Sequence, residues 1–208
     1  MKKIAVTQRL IENSTYYEVR EALDIRFAKL LSKAGFLALP LPYEVDFRLY
    51  FENVGIDGVV FTGGNDLYVC SNNELSLKRD TFEKKLLEYC IDNGIPVLGI
   101  CRGMQIIAEY FGSTFKKAEG QVNVRHKLDV NPQSGYAEYL SRLQDVNSFH
   151  DFQIDVPGDG LIISAENGSG VIKAIEHGSH NIFAQMWHSE RENPFKVEEI
   201  ELIKRVLS

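Results

Sequence analysis

The chain has 208 residues, 44% of them hydrophobic, which is enough for one domain with a full hydrophobic core. Its 23 basic and 29 acidic residues give a net charge of -6 without any basic run, which argues against nucleic acid or an anionic membrane surface as a partner. No stretch reaches the roughly 18 apolar residues of a membrane span, and the start, "MKKIAVTQRL", does not read as a signal peptide.

The first half of the chain alternates short apolar runs with helical patterns. Strands are predicted at 3–8, 36–42, 57–64 and 96–100, and helices at 16–35, 78–94 and 103–112. Strands that alternate with helices of this length indicate a mostly parallel sheet with helices on both faces. We therefore expect an α/β fold with flavodoxin-like layering.

After about residue 120 the pattern changes to closely spaced strands that are joined by Gly, Pro, Asn and Asp. These strands are predicted at 124–130, 152–157, 160–166, 171–177 and 182–188. The last segment, 194–208, reads as a helix with a proline near its start. The short connections favour antiparallel strands that lie beside the central sheet or extend it. Since no repeat or linker interrupts the pattern, we expect one domain over residues 1–208.

Three cysteines, Cys70, Cys90 and Cys101, are an odd number at irregular spacing. This is typical of reduced thiols in a cytosolic protein rather than of a disulfide framework, so we expect a cytoplasmic location. Cys70 and Cys90 are interpreted as spectators. Cys101 differs because it lies between two glycines, where an apolar strand should become a helix.

The segment 99–103, Gly-Ile-Cys-Arg-Gly, fits a turn that presents a nucleophile between a strand and a helix. At that position the helix N-terminus stabilises a thiolate, and unpaired backbone N–H groups are available for a developing oxyanion. A five-residue pattern on its own is also compatible with a small cysteine buried in the core. The ends of two other predicted strands support a nucleophile. In "FTGGND" at 61–66 a glycine pair follows the strand, and in "QMWHSERE" at 185–192 His188 follows the strand and lies two residues before Glu190. A cysteine nucleophile needs such an imidazole and carboxylate.

Five segments together resemble the class I glutamine amidotransferase-like family, and within it the γ-glutamyl hydrolases. They are "FTGGND", "KRDTFE", "PVLGICRGMQIIAEYFG", "VNSFHDF" and "MWHSERE". Their order and approximate spacing match the family, and they cover residues 57–192. An α/β-hydrolase fits less well, because it would place its acid between the nucleophile and the histidine.

The resemblance implies that Cys101 attacks the γ-carbonyl of a glutamine-like substrate, that His188 moves the proton and that Glu190 orients the histidine. The oxyanion hole would be the backbone N–H groups of Gly64 and Arg102. Neither a metal nor an organic cofactor is implied. The family usually has proline between the histidine and the glutamate; serine stands there in this chain, which leaves the charged pair unchanged.

Further residues are assigned to substrate binding by the same resemblance. Gln105 would contact the α-amino and α-carboxyl end of the glutamyl group, and His150 is interpreted as an orienting residue rather than a base. The complete set of binding residues is Gly63, Asn65, Gln105, Asn147, Ser148, Phe149 and His150. In "KRDTFE", Arg79, Asp80 and Glu83 are interpreted as bracing the loop 65–77, with Asp80 a plausible helix cap. "HGSH" at 177–180 is interpreted as a turn rather than a metal site.

The resemblance implies that the substrate is a small γ-glutamyl compound, and a homodimer is compatible with the sequence. "IAVTQRL", "FLALPLPYE", "TGGNDL" and "VNSFH" look like the bacterial γ-glutamyl-CDP-amidate hydrolases of capsule phosphoramidate synthesis. A γ-glutamyl polyamine or GABA hydrolase, the glutaminase subunit of an amidotransferase and a non-enzymatic binding module remain alternatives. The complete set of Cys101, His188 and Glu190 argues against the last. Candidate cations for an anionic leaving group are Arg9, Arg102, Arg125 and Lys127.

Overall fold

A computed structural model describes all 208 residues of the chain. Its centre is an eight-stranded sheet. In spatial order the strands are β4 (Leu37–Pro40), β1 (Lys3–Val6), β5 (Gly58–Phe61), β6 (Val97–Ile100), β14 (Ile182–Gln185), β13 (Ile172–His177), β12 (Leu161–Glu166) and β9 (Asp129–Val130). The first five strands are parallel, and the last three are added antiparallel. The predicted α/β class with antiparallel additions is confirmed.

Helices cover the sheet and close its core. They are α1 (Arg26–Lys33), α2 (Arg48–Val54), α3 (Tyr68–Ser71), α4 (Glu74–Asp92), α5 (Arg102–Tyr110), α6 (Ala137–Leu140) and α7 (Val197–Val206). Strands β5, β6 and β14 are entirely buried, and α5 packs against all three. These strands are continuous apolar runs because helices cover both faces of the parallel part of the sheet. None of the helices combines the length and the apolar character that a bilayer span requires.

Three two-stranded ribbons lie outside the main sheet. They pair β2 (Arg9–Glu12) with β3 (Val19–Ala22), β8 (Val122–His126) with β10 (Val146–Phe149), and β7 (Thr114–Lys117) with β11 (Phe152–Val156). The β8–β10 and β7–β11 ribbons carry the loop around residue 150 to the carboxyl edge of the parallel strands. The predicted strand 124–130 is therefore wrong as a single element, since it divides between β8 and β9, which lie in different sheets.

The predicted helix 16–35 is wrong in its first half. The chain forms a hairpin of β2 and β3 there, and helix α1 begins only at Arg26. The helical spacing of apolar residues is real in α1, whose Phe27, Leu30 and Leu31 are buried. In β3, backbone pairing with β2 outweighs that spacing, because the hairpin satisfies backbone groups that a helix would have satisfied within itself.

Helix α4 begins earlier than predicted, and Asp80 is not its cap. Asn73 is the N-cap, since its side chain accepts hydrogen bonds from the N–H groups of Leu75 and Ser76. Asp80 is instead buried in the second turn of the helix, where its Oδ2 accepts from the N–H of Tyr68 at 2.7 Å. The carboxylate thus ties the 65–77 loop to α4.

Candidate active site

Cys101 occupies a strained corner between β6 and α5. Its backbone has φ 54° and ψ -108°, a region that non-glycine residues rarely adopt. The N–H of Cys101 donates to the carbonyl of Gln185, the last residue of β14, at 2.8 Å. The corner is therefore fixed to the neighbouring strand, and the strain presents the thiol at the carboxyl edge of the sheet.

The two glycines that flank this corner are required by close packing. A Cβ at Gly103 would stand 2.1 Å from the carbonyl oxygen of Phe61 in β5. A Cβ at Gly99 would stand 2.7 Å from Cδ1 of Ile107 and 2.8 Å from Cβ of Ala184. The glycine spacing seen in the sequence thus reflects a helix that packs directly onto two strands.

His188 lies three residues beyond the end of β14, beside Cys101. Its Nδ1 and Oε1 of Glu190 are 2.6 Å apart, and both side chains are 3% exposed. This contact leaves Nε2 on the other side of the ring, where it has no hydrogen-bond partner of standard geometry in the protein. The hydrogen bond to Glu190 therefore fixes the tautomer in which Nε2 is free to take a proton from the thiol.

The charge environment favours the protonated form of His188. Burial on its own would lower the pKa of His188, but the adjacent Cys101 and Glu190 outweigh it, so the pKa of His188 is raised. A raised pKa makes the imidazole a better acceptor for a proton, which is what a cysteine nucleophile requires of its histidine.

Two backbone N–H groups next to Cys101 have no protein acceptor. They belong to Gly64, which has φ 90°, and to Arg102, the first residue of α5. Such unpaired donors at a helix start are the groups that can stabilise an oxyanion. Gly64 has no room for a side chain, since a Cβ there would stand 2.9 Å from Cβ of Arg9.

A cavity of about 270 Å³ opens above the thiol. It is polar, and its lining residues are Arg9, Gly64, Asn65, Asp66, Cys101, Arg102, Gln105, Phe149, His150, Asp151, His188 and Arg191. A second hollow of about 290 Å³ adjoins it on the far side of His188 and shares Arg9, Gly64 and Arg191 with it. Larger hollows elsewhere, such as one along Leu128–Asn131, do not contain any of the predicted catalytic residues.

We call one side of the 270 Å³ cavity the Gln105 wall; it consists of Gln105, Phe149, His150 and Asp151. Nε2 of Gln105 and Nδ1 of His150 both donate to the carbonyl of Phe152, at 3.0 and 2.9 Å. The Oε1 of Gln105 accepts from no protein group, so it is available to a ligand. Burial first, and then Lys173, lower the pKa of His150 to about 3, so this ring is neutral.

Three residues assigned to substrate binding have other side-chain contacts. Asn147 is bound to the backbone of His188 on both sides, with Oδ1 accepting from its N–H and Nδ2 donating to its carbonyl, each at 2.9 Å. Ser148 is 1% exposed and faces Lys173. Asn65 binds the backbone of Leu10. The side chain of Asn147 thus holds the backbone of His188 in place, and the assignment of these three residues to substrate binding, in part through the backbone, stays a prediction.

A buried ion cluster lies under the glycine pair. We call Arg79, Asp80, Glu83 and Arg102 the Arg79 cluster. Arg102 pairs with Asp80 and Glu83, and Arg79 pairs with Glu83 and donates to the carbonyls of Thr62 and Gly63 at 2.8 and 2.9 Å. These contacts hold the carbonyl side of the glycine pair in place. They also exclude the Arg102 guanidinium as a cation for the leaving group, since both of its terminal nitrogens are taken up by carboxylates.

Replacing Glu83 with glutamine is expected to lower the free energy of unfolding by about 3–5 kcal/mol, because two buried guanidinium groups lose their shared counter-ion. Burial alone would raise the pKa of Glu83, but the opposing effect of Arg102 and Arg79 is larger, so the pKa is lowered. The stabilisation of the fold by the Glu83 carboxylate is therefore present at neutral pH and is lost as pH falls through that lowered pKa. Urea unfolding at pH 7 measures the first effect, and a series of unfolding curves from pH 7 down to about pH 2 measures the second.

The matched control is Glu18→Gln, which removes an exposed pair with Arg20. It should change stability by less than about 0.5 kcal/mol. A Glu83→Gln variant as stable as this control would show that the Arg79 cluster does not stabilise the fold.

Arg191 is a cation at the site that the sequence analysis missed. It lines both cavities, and its guanidinium carbon lies 4.8 Å from the centre of the Phe149 ring. Arg9 also lines both cavities and forms no ion pair. Arg125 is held by Asp145 and Glu192, and Lys127 is exposed outside both cavities. In the sequence, the only indication that Arg191 lies at the site is that it directly follows Glu190.

The remaining motifs lie apart from the thiol. Burial raises the pKa of Cys70 to about 11 and raises that of the fully buried Cys90 still further. Residues 177–180 form the turn between β13 and β14, in which Nδ1 of His177 accepts from the N–H groups of Ser179 and His180. The turn predicted for this segment is confirmed.

Comparison with known proteins identifies relatives along almost the whole chain. A sequence profile described as peptidase C26 matches residues 4–190. A γ-glutamyl-CDP-amidate hydrolase of Campylobacter jejuni is 42% identical over 193 residues, covering 91% of this chain and 90% of that protein. A putative glutamine amidotransferase-like protein of Lactococcus lactis is 30% identical and covers 79% of this chain and 78% of that protein.

Solved structures share the fold. A putative GMP synthase protein of Thermoplasma acidophilum superposes with a TM-score of 0.74 at 22% identity, covering 100% of this chain and 92% of that one. A glutamine amidotransferase of Thermotoga maritima gives a TM-score of 0.68 at 15% identity, covering 99% and 84%. Identities this low bear on the architecture alone.

Proposed function

The chain belongs to the peptidase C26 family of class I glutamine amidotransferase-like hydrolases, and from that premise we propose that it cleaves a γ-glutamyl amide bond through a thioester on Cys101. The observation that carries the proposal is the buried His188–Glu190 pair beside a strained cysteine, with two free backbone N–H groups at the same corner. The arrangement has a nucleophile, a base with its orienting carboxylate, and oxyanion donors, which are the groups that acyl transfer to a thiol needs.

In the first step the Cys101 sulfur adds to the γ-carbonyl carbon while the imidazolium of His188 holds the thiol proton. The N–H groups of Gly64 and Arg102 stabilise the resulting oxyanion. The C–N bond then breaks, and His188 passes its proton to the leaving nitrogen. Glu190 keeps the imidazole oriented throughout.

In the second step a water molecule replaces the leaving group. His188, now neutral, takes a proton from the water as its oxygen attacks the thioester carbon. The C–S bond breaks, and the products are glutamate and the restored thiolate–imidazolium pair. The water supplies the hydroxyl group of the new γ-carboxyl group, which then loses its proton to solvent, so the reaction balances with water as the only co-reactant.

In this proposal the glutamyl end of the substrate binds against the Gln105 wall. Oε1 of Gln105 is available to accept from the α-ammonium group. Asp66 and Asp151 face the same cavity, where burial and then Asp151 raise the pKa of Asp66. A cation between these carboxylates would relieve that repulsion, so the site suits a zwitterionic glutamyl group better than a simple acyl chain.

We propose further that the leaving group is the phosphoramidate of a cytidine diphosphate, in a capsule modification pathway. Two observations support this substrate. The C. jejuni relative at 42% identity is named for it. Arg9 and Arg191 line both cavities without a close carboxylate partner, the nearest contact being 3.8 Å from Arg191 to Glu190. Guanidinium groups of this kind suit phosphate oxygens.

A panel of glutamine, γ-glutamyl-GABA, a folyl-polyglutamate and γ-glutamyl-CDP-amidate tests this assignment by glutamate release. We expect kcat/KM for the nucleotide compound to exceed that for glutamine at least about a hundredfold, the size of one or two charge-assisted contacts that form in the transition state. Added salt should narrow the gap, because Arg9 and Arg191 are exposed.

The source of that discrimination is tested by Arg191→Met, with Arg125→Met as the matched control, since Arg125 already pairs with two carboxylates. Arg191→Met should lower kcat/KM for the nucleotide compound about tenfold and change that for glutamine little. Equal cleavage of both compounds by the wild-type enzyme at low salt would exclude the nucleotide assignment. Strong activity on glutamine alone would favour a glutaminase that feeds a synthase partner.

A further inference from the structure

Lys173 is a buried cation without a carboxylate partner. It lies at the second position of β13, and its relative exposure is 0%. It forms no ion pair with any carboxylate of the chain. Because β13 runs antiparallel to β14, its first residues lie at the same edge of the sheet as Cys101 and His188. A buried, unpaired ammonium is costly, so its presence behind the cavity calls for a role.

The three donors of Lys173 all have acceptors. Nζ lies 2.7 Å from Oε1 of Gln121, 3.0 Å from Oγ of Ser148 and 3.0 Å from Nε2 of His150. An ammonium can only donate, so Nε2 of His150 must accept. Burial lowers the pKa of Lys173 to about 8 against the opposing effect of Cys101, so Lys173 is mostly protonated at neutral pH.

This contact fixes the rest of the Gln105 wall. Since Nε2 of His150 accepts, its Nδ1 carries the hydrogen and donates to the carbonyl of Phe152 at 2.9 Å. The same carbonyl accepts from Nε2 of Gln105 at 3.0 Å. The Gln105 amide is thereby held with its Oε1 available to the ligand. Lys173 itself reaches no part of the cavity.

We propose that Lys173 is a positioning residue of the Gln105 wall, which it holds through His150 in the orientation that receives the glutamyl end of the substrate. The assignment rests on the proposed γ-glutamyl specificity. Without the Lys173 donor, Nε2 of His150 loses its buried partner and the ring is free to exchange its two nitrogens. The Phe152 carbonyl and the Gln105 amide then lose their common orientation, while Cys101, His188 and Glu190 keep their own contacts.

The test compares two substrates for Lys173→Met. One is the γ-glutamyl compound that the wild-type enzyme cleaves fastest; the other is p-nitrophenyl butyrate, an activated ester without α-amino and α-carboxyl groups. We expect kcat/KM to fall at least about 30-fold for the γ-glutamyl compound, mainly through KM, and about tenfold less for the ester, whose smaller loss reports the weaker electrostatic interaction of Lys173 with Cys101. Lys204→Met, on the exposed side of α7, is the matched control. Equal losses on both substrates would overturn the proposal.

A double-mutant cycle tests the route through His150. If Lys173 acts through that ring, Lys173→Met combined with His150→Ala should be no worse than His150→Ala alone, and additive losses would contradict this. If Lys173→Met does not fold, Lys173→Gln takes its place in the same comparison, because glutamine keeps an N–H donor. Lys173→Gln should then retain a higher kcat/KM on the γ-glutamyl compound than His150→Ala does. Retention no better than His150→Ala would overturn the proposal.

The wild-type enzyme provides a test that does not depend on activity. Nitrogen-15 NMR of labelled histidine should show His150 as the neutral tautomer with hydrogen on Nδ1, unchanged between about pH 5 and pH 7. The Nε2–H tautomer, or a protonated ring in this range, would refute the role of Lys173. A wild-type enzyme that cleaves only the ester would refute the proposed function instead, and the tautomer would still test the positioning role.

Discussion

Replacing Cys101 with serine is expected to lower kcat/KM on the best γ-glutamyl substrate at least about ten-thousandfold. The pKa of a serine hydroxyl lies far above that of a thiol, so His188 takes its proton much less readily. The fold should be unchanged, since the substitution removes little volume. Steady-state kinetics with circular dichroism measures both.

Covalent labelling distinguishes this thiol from the other two. A diazo-ketone analogue of glutamine should add mass to Cys101 alone, because Cys90 is fully buried and the pKa of Cys70 is raised to about 11 by burial. Cys70→Ser is the matched control and should retain wild-type rates. Labelling at Cys70 or Cys90 with Cys101 unmodified would contradict the nucleophile assignment.

Replacing His188 with alanine is expected to lower kcat/KM about a thousandfold or more, because the thiol then loses the group that holds its proton and the leaving nitrogen loses its acid. Glu190→Gln should be much milder. Its amide can still contact Nδ1 at the 2.6 Å position, although only a fraction of the imidazole tautomers would then be productive. Rates for both variants come from the same assay.

The comparison variant for this pair is His180→Ala, which removes an imidazole from the turn between β13 and β14 and should leave the rate unchanged. If His188→Ala and Glu190→Gln both had wild-type rates, the base would lie elsewhere, and His150 would be the next candidate. The low pKa of His150, caused first by burial and then by Lys173, argues against it.

The turn between β6 and α5 was predictable from the sequence because local contacts dictate it. Gly99 and Gly103 bound the strained corner at Cys101, and both glycines prove to be required by contacts closer than 3 Å. The strands on either side are continuous apolar runs whose type does not depend on distant partners. The α/β class was predictable for the same reason.

The hairpin of β2 and β3 was not predictable in this way. Residues 19–22 carry a helical spacing of apolar groups, and only their pairing with residues 9–12 makes them a strand. Asn147 shows the same limit at the site. Its segment suggested a ligand contact, but its amide is bound to the backbone of a histidine that lies 41 residues away in the chain. Such long-range contacts leave no local pattern.

Lys173 and Arg191 illustrate a third case, in which the residue type was visible and its surroundings were not. A lysine within an apolar strand reads as an ordinary edge or surface position. Its burial against His150 depends on the ribbon that carries residues 146–149 to the same edge of the sheet. Arg191 is placed over Phe149 by that same ribbon.

The most direct test of the account is the mass of the enzyme during turnover. Rapid acid quenching of the wild-type enzyme with γ-glutamyl-CDP-amidate, followed by peptide mapping, should find one glutamyl group on the peptide that contains Cys101, labile to hydroxylamine as a thioester is. If the Glu190→Gln change slows hydrolysis of the thioester more than its formation, the fraction of enzyme that carries the glutamyl group should be larger in that variant. Steady release of glutamate with no acyl group on Cys101 at any quench time, or with the acyl group on another residue, would contradict the account.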